Sequence, residues 1–178
     1  MSAEGSNAND VWTEFGKLAT ELLHPEGYIY GIAKPGDTIF YKINQGAFHY
    51  GIYIGEVKGV EMVIDNDKYT DSVSGENISS IRKKTYHQFA IDGKGDVKIL
   101  KYNEAPHAEI QRRKRALENA QLLLKKYKGQ HIYNLFAFNC QHFTTLCSGI
   151  RWEPGYSEKS DLRMHFFNQP VVRSKSSL

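Results

Sequence analysis

From Pro35-Gly36 onward the apolar residues arrive in runs of strand length, and after residue 105 they switch to helical spacing. That change of period constrains the chain more than any single residue does. Thr38–Ile43, Phe48–Ile54, Gly59–Asp65, His87–Ile91 and Val97–Tyr102 are rich in Val, Ile, Tyr and Phe and are separated by Gly, Asn and Asp clusters. They read as strands, and their short separations as hairpins, so an antiparallel meander is expected. Residues 66–86 are polar and read as a long loop. Pro106 then suits the first turn of a helix, along which Ile110, Leu117, Ala120, Leu124 and Tyr127 form one apolar stripe before Gly129 stops it. A second helix is expected near Cys140. The fold class is therefore α+β, an antiparallel β-sheet meander packed against a C-terminal helical layer.

The chain has 178 residues, 40% hydrophobic and 24% charged, which is one globular domain with room for flanking segments. We divide it into an N-terminal tail with a short amphipathic helix (1–33), a central domain (34–150) and a C-terminal extension (151–178). In the first segment, Trp12, Phe15, Ala19 and Leu22 share a helical face that can dock on the core or touch a membrane surface. No run approaches the roughly 18 apolar residues of a membrane span, and the N-terminus lacks the pattern of a secretory signal. A cytoplasmic protein, with peripheral contact at membranes, is the expectation. A net charge of +3 is too balanced to suggest nucleic acid. The basic runs Arg112–Arg115 and Lys125-Lys126 read as a solvated helix face, with a phospholipid surface as the functional alternative.

Two cysteines, Cys140 and Cys147, exclude a disulfide scaffold and an all-Cys zinc site. Seven residues apart on one helix, they would lie about 10.5 Å from each other, beyond the roughly 7 Å reach of a disulfide. Free thiols fit a reducing compartment. Cys140 follows Asn139 at the expected start of its helix. There, unpaired N–H groups and the positive dipole end favour a thiolate, and the same groups can hold an oxyanion. Cys147 has no such setting and reads as a buried hydrophobe. Among seven histidines, His49 lies within a strand, sharing a face with Gly51 and Tyr53. A rigid strand can aim an imidazole at a nucleophile on a packed helix, and Gly51 leaves room for close approach. His142, two residues from Cys140, would point about 200° away around the helix.

The segments HYGIYIG (49–55) and NCQHF (139–143) resemble the paired signatures of the lecithin:retinol acyltransferase family, which includes the H-Ras-like suppressor phospholipases/acyltransferases and viral H-box/NC proteins. GDTI (36–39), RALENAQLLL (115–124) and HFTTLCSG (142–149) add to the likeness. The resemblance implies a circularly permuted papain-like (NlpC-type) fold. It also implies a cysteine that takes an acyl group from a phospholipid as a thioester and passes it to water, an amine or an alcohol. Carried over position by position, Cys140 is the nucleophile and His49 the base. No cofactor or metal is implied, and the expected partner is an acyl lipid. The family's second histidine, on the next strand, has no counterpart in GVEMVID (59–65). Aligning by strand end puts Asp65 in its place, a role a carboxylate can fill, with Glu61 on the same face as the fallback. Gln141 stands where an acidic residue is common. Two further readings share the scaffold: a non-catalytic member used for interaction or regulation, and a cysteine peptidase or other amide hydrolase.

Overall fold

The computed structural model describes residues 25–44, 47–102, 104–133 and 139–149. The expected N-terminal amphipathic helix and the whole C-terminal extension (151–178) lie outside them. Within the described residues are six strands, β1 (Pro25–Ile29), β2 (Thr38–Asn44), β3 (Ala47–Val57), β4 (Val60–Thr70), β5 (Asn77–Thr85) and β6 (Lys98–Tyr102). Three helices accompany them: α1 (Tyr86–Asp92), α2 (Pro106–Tyr127) and α3 (Cys140–Cys147). The strands form one antiparallel sheet in the order β1-β6-β2-β3-β4-β5. The α+β class and the antiparallel succession of β2, β3 and β4 are as expected. None of the helices is long and apolar enough to cross a membrane.

Three local expectations are corrected. Residues 66–86 are not a loop: they complete β4 and form β5, which pair from Met62↔Thr85 to Thr70↔Asn77. Residues 87–91 are not a strand but most of α1, capped by the Thr85 side chain, which accepts a hydrogen bond from the Gln88 N–H. An N-cap threonine sets the entry to a helix in a way that apolar content alone does not reveal. The sheet also begins earlier than residue 34, since β1 pairs with β6.

Strand alternation sends side chains to two faces. On one, Ile39, Tyr41, Tyr53, Val63 and Ile99 pack with Phe89 of α1. On the other, Ile52, Ile64 and Ile81 pack with Ala116, Ala120, Leu123 and Tyr127 of α2 and Phe143, Leu146 and Cys147 of α3. The buried stripe of α2 is thus rotated from the expected one: Ala120 and Tyr127 are in it, Leu117 and Leu124 flank it, and Ile110 is exposed. Arg112, expected on a solvated face, is fully buried, with Nε 2.7 Å from Glu104 Oε1 and the guanidinium 4.3 Å from the Tyr102 ring centre. Its planar head pairs with both a carboxylate and an aromatic face, which lets it replace a hydrophobe there.

Two glycines set close approaches. Gly36 has φ +90°, and the Arg113 backbone occupies the place of a Cβ, so α2 lies directly on the turn before β2. Gly51 lies under α1: a Cβ there would come 2.6 Å from Val63 Cγ1 and 3.1 Å from Phe89 Cε2. The space that the strand glycine was expected to leave is filled by the Phe89 ring.

The ladders do not all have the same length. β3 and β4 pair from Val57↔Val60 only as far as Gly51↔Asp65. Pairing of β2 with β3 continues to Asn44↔Ala47, and pairing of β4 with β5 to Thr70↔Asn77. Beyond Gly51 and Asp65 the sheet therefore forks into two hairpin arms, one carrying His49 and the other Asp67.

Candidate active site

The N-terminus of α3 meets the sheet at this fork. Asn139 is its N-cap: Oδ1 accepts hydrogen bonds from the N–H groups of Gln141, at 2.9 Å, and His142, at 3.1 Å. His142 answers through Nδ1, which accepts from the Asn139 N–H at 3.0 Å. This reciprocal capping box spends His142 on holding the helix start, and Nδ1 must be unprotonated to accept. The cap occupies the second and third N–H groups of the helix. The Cys140 N–H is left as the first-turn donor beside the sulfur, a narrower provision than the set of free donors expected from sequence. Cys140 Sγ lies 3.8 Å from the Phe48 carbonyl oxygen, on the His49 arm, and packs against Phe40, Tyr50, Leu100 and Tyr102. Cys140 and Cys147 are both free thiols, and both are buried. Burial pushes the Cys147 thiol well above its ordinary value, so it stays protonated in the core.

His49 is 3% exposed and packs against the rings of Tyr41 and Phe89, 5.4 and 5.6 Å away centre to centre, which also touch each other. Its Nε2 is 2.8 Å from Asp65 Oδ2. Cys140 acts on the same imidazole, and with Nε2 committed to Asp65, Nδ1 is the nitrogen left for sulfur. Burial is the largest single influence on the imidazole and lowers its pKa. The hydrogen bonds to Asp65 and Cys140 and their charges together outweigh it, raising the value to about 10. The structure thus brings Cys140, His49 and Asp65 together. Glu61 lies elsewhere, accepting a hydrogen bond from the Tyr53 hydroxyl at 2.6 Å.

Asp65 is completely buried. Burial is again the largest influence, pushing the carboxyl up, but the hydrogen bond and charge of His49, then Lys84 and Arg82, bring it down to about 2. Lys84 Nζ is 2.7 Å from Asp65 Oδ2, and Arg82 Nε is 3.4 Å from Oδ1. Arg82 also reaches Asp67 Oδ2 at 3.2 Å, and that oxygen is 3.8 Å from His49 Nε2. One histidine nitrogen and two carboxylates converge here, close enough to suggest a metal site. The donor set does not fit one: an ammonium and a guanidinium already neutralise the carboxylates and would repel a divalent ion, while His49 Nε2 is taken up by Asp65.

Sequence reasoning missed Lys84, Arg82 and Phe89, because all three lie on segments assigned to the wrong element. Once β5 is recognised the signal is plain. Asp65 stands directly opposite Arg82 in the ladder, a cross-strand pair of opposite charge. Among the described residues, the other histidines are not drawn in. His87 and His107 are exposed, and His131 Nδ1 accepts from the Ser79 N–H at 3.4 Å.

This α+β protein brings a buried thiol at a helix N-terminus, an imidazole on a neighbouring strand and a carboxylate behind it into one site, an arrangement shared by a class of proteins that pair a thiol with an imidazole and an acid. Within that class the family model of lecithin retinol acyltransferase matches residues 32–150, about two-thirds of the chain, and the protein belongs to that family. Membership supports an acyltransferase-like function. No curated protein and no solved structure matches the chain.

Proposed function

We propose that the protein is a thiol acyltransferase or phospholipase-like enzyme that takes an acyl group from a lipid ester onto Cys140. The observation that carries this reading is the doubly engaged imidazole of His49, with Asp65 at 2.8 Å on Nε2 and Cys140 on the same ring. In the first half-reaction His49 holds the thiol proton, and the sulfur attacks the ester carbonyl carbon. The oxygen that becomes negative is met by the Cys140 N–H at the positive end of α3. Collapse breaks the C–O bond, and the His49 imidazolium protonates the departing lipid alkoxide. In the second, His49 takes a proton from water, an amine or an alcohol, which attacks the thioester and frees the thiol. Asp65 keeps Nε2 occupied, so that Nδ1 faces sulfur, and stabilises the imidazolium.

The substrate follows from the family's chemistry, and contact with lipid at a bilayer surface follows from the substrate. Release of free fatty acid from long-chain phosphatidylcholine and phosphatidylethanolamine vesicles tests the reading. Wild type and Cys147→Ser release it, whereas Cys140→Ser loses at least about 10³-fold, because a serine hydroxyl is scarcely ionised near neutral pH. Equal release by Cys140→Ser contradicts the mechanism. A folded wild type inert toward several donors and acceptors supports the non-catalytic reading instead.

A further inference from the structure

We infer that Lys84 is a positioning residue for this site: its ammonium keeps the buried Asp65 a carboxylate, and Asp65 in turn holds His49 as the proton-bearing partner of Cys140. The inference rests on the reading of Cys140, His49 and Asp65 as a working trio. A carboxylate with no exposure is costly unless cations and hydrogen bonds compensate it. His49 supplies one partner, but its own proton is the one the reaction moves, so it cannot be the permanent counter-ion. Arg82 is 24% exposed on its side chain and stands 3.4 Å from the far oxygen, a weak and screened contact. Lys84 is different: its side chain is 7% exposed, and Nζ is 2.7 Å from Oδ2, the oxygen that faces His49. Its position is fixed from α1, where Nζ lies 3.3 Å from Asp92 Oδ2 and 5.1 Å from the Phe89 ring centre.

The groups around Asp65 come from every element packed on it. They are Tyr41 on β2, His49 on β3, Asp67 on β4, Arg82 and Lys84 on β5, Asp92 on α1 and Cys140 on α3. Tyr41 is held protonated, its phenol raised by burial and then by the carboxylates of Asp92, Asp67 and Asp65 and by Cys140. The fixed charges in the cluster are thus three carboxylates against Lys84 and Arg82. Removing the buried cation leaves Asp65 to be neutralised by a proton. A protonated Asp65 supports the imidazolium far less, and His49 is then a weaker proton-bearing partner for Cys140.

The test is the pH profile of iodoacetamide alkylation of the full chain, read at Cys140 by peptide mass, which needs no lipid. Lys84→Met is expected to move the profile upward by about one pH unit, a roughly tenfold loss of rate near pH 6. Lys84→Arg is expected to recover most of it. In an Asp65→Asn background Lys84→Met is expected to have no further effect. A profile unmoved by Lys84→Met, or moved equally with Asn at position 65, overturns the inference. If Lys84→Met alone does not fold, the Asp65→Asn/Lys84→Met double variant decides. Recovery of folding supports charge compensation, and continued failure to fold contradicts it. Acylation by phospholipid is scored separately: a wild type that is never acylated but shows these shifts retires the enzyme reading and keeps this one, while acylation without them does the reverse.

Discussion

The imidazole of His49 has Asp65 2.8 Å from Nε2 and Cys140 as its other influential neighbour, and each has a kinetic consequence. Asp65→Asn keeps the shape but removes the charge behind the imidazolium and can stabilise the wrong tautomer. It is expected to lower turnover by about 10²–10⁴-fold, measured as fatty acid release per folded protein, and to lower the thermal midpoint as well, because Lys84 and Arg82 lose the carboxylate they pair with. Tyr53 and Glu61 form their own contact, so Glu61→Gln is expected to leave turnover within about twofold. His49 with its pKa raised to about 10 also sets the alkaline limit. Activity is expected to hold through neutral pH and to fall as pH rises through about 10, when the imidazolium that protonates the leaving group loses its proton. A pH–rate profile declining at neutral pH would contradict this charge assignment.

The elements that carry these residues differ in how far they are readable from sequence. α3 announces itself through Asn139, and the strands around His49 through their apolar runs. The capping box is less visible, because histidine in place of Glu or Gln at its third position is an unusual partner. Asn139→Ala is expected to cost about 1 kcal/mol of stability, read from thermal unfolding, since the Gln141 and His142 N–H groups lose their acceptor. β5 was hidden by its polarity: it is an edge strand, with Ser79, Ser80, Arg82, Lys83 and Lys84 among its nine residues, and edge strands carry charge that masks their period. α1 was hidden for the opposite reason. With seven residues it is too short for helical spacing to outweigh a local apolar run, and its position is decided by Phe89 filling the slot above Gly51. The cysteine and the histidine stand in local motifs, and the acid follows only from aligning the ends of neighbouring strands. The cation behind the acid was not legible, because only the β4–β5 pairing brings Lys84 to Asp65.

Across the whole molecule, the fork between β3 and β4 lets one sheet serve two layers. α2 and α3 cover one face and α1 covers the other, yet the thiol on α3 meets an imidazole that packs against α1. This arrangement ties stability to pH from both sides. His49 has a folded pKa raised from 6.5 to about 10, so its stabilising contribution is complete below about 6.5 and is lost as pH rises through 10. Asp65 is depressed from 3.8 to about 2, so its contribution is present above 3.8 and is lost as pH falls through 2. Thermal unfolding is expected to show greatest stability between these limits. In His49→Ala the alkaline loss between about pH 6.5 and 10 should flatten, measured by denaturation midpoints across the range.

The most direct test of the central claim, acyl transfer through Cys140, is intact mass after incubation with phosphatidylcholine or phosphatidylethanolamine under conditions where acceptor is scarce. The account predicts an added acyl mass on wild type and on Cys147→Ser, removed by neutral hydroxylamine as a thioester is, and absent from Cys140→Ser. An acyl adduct that survives hydroxylamine, or that forms equally on Cys140→Ser, would contradict it.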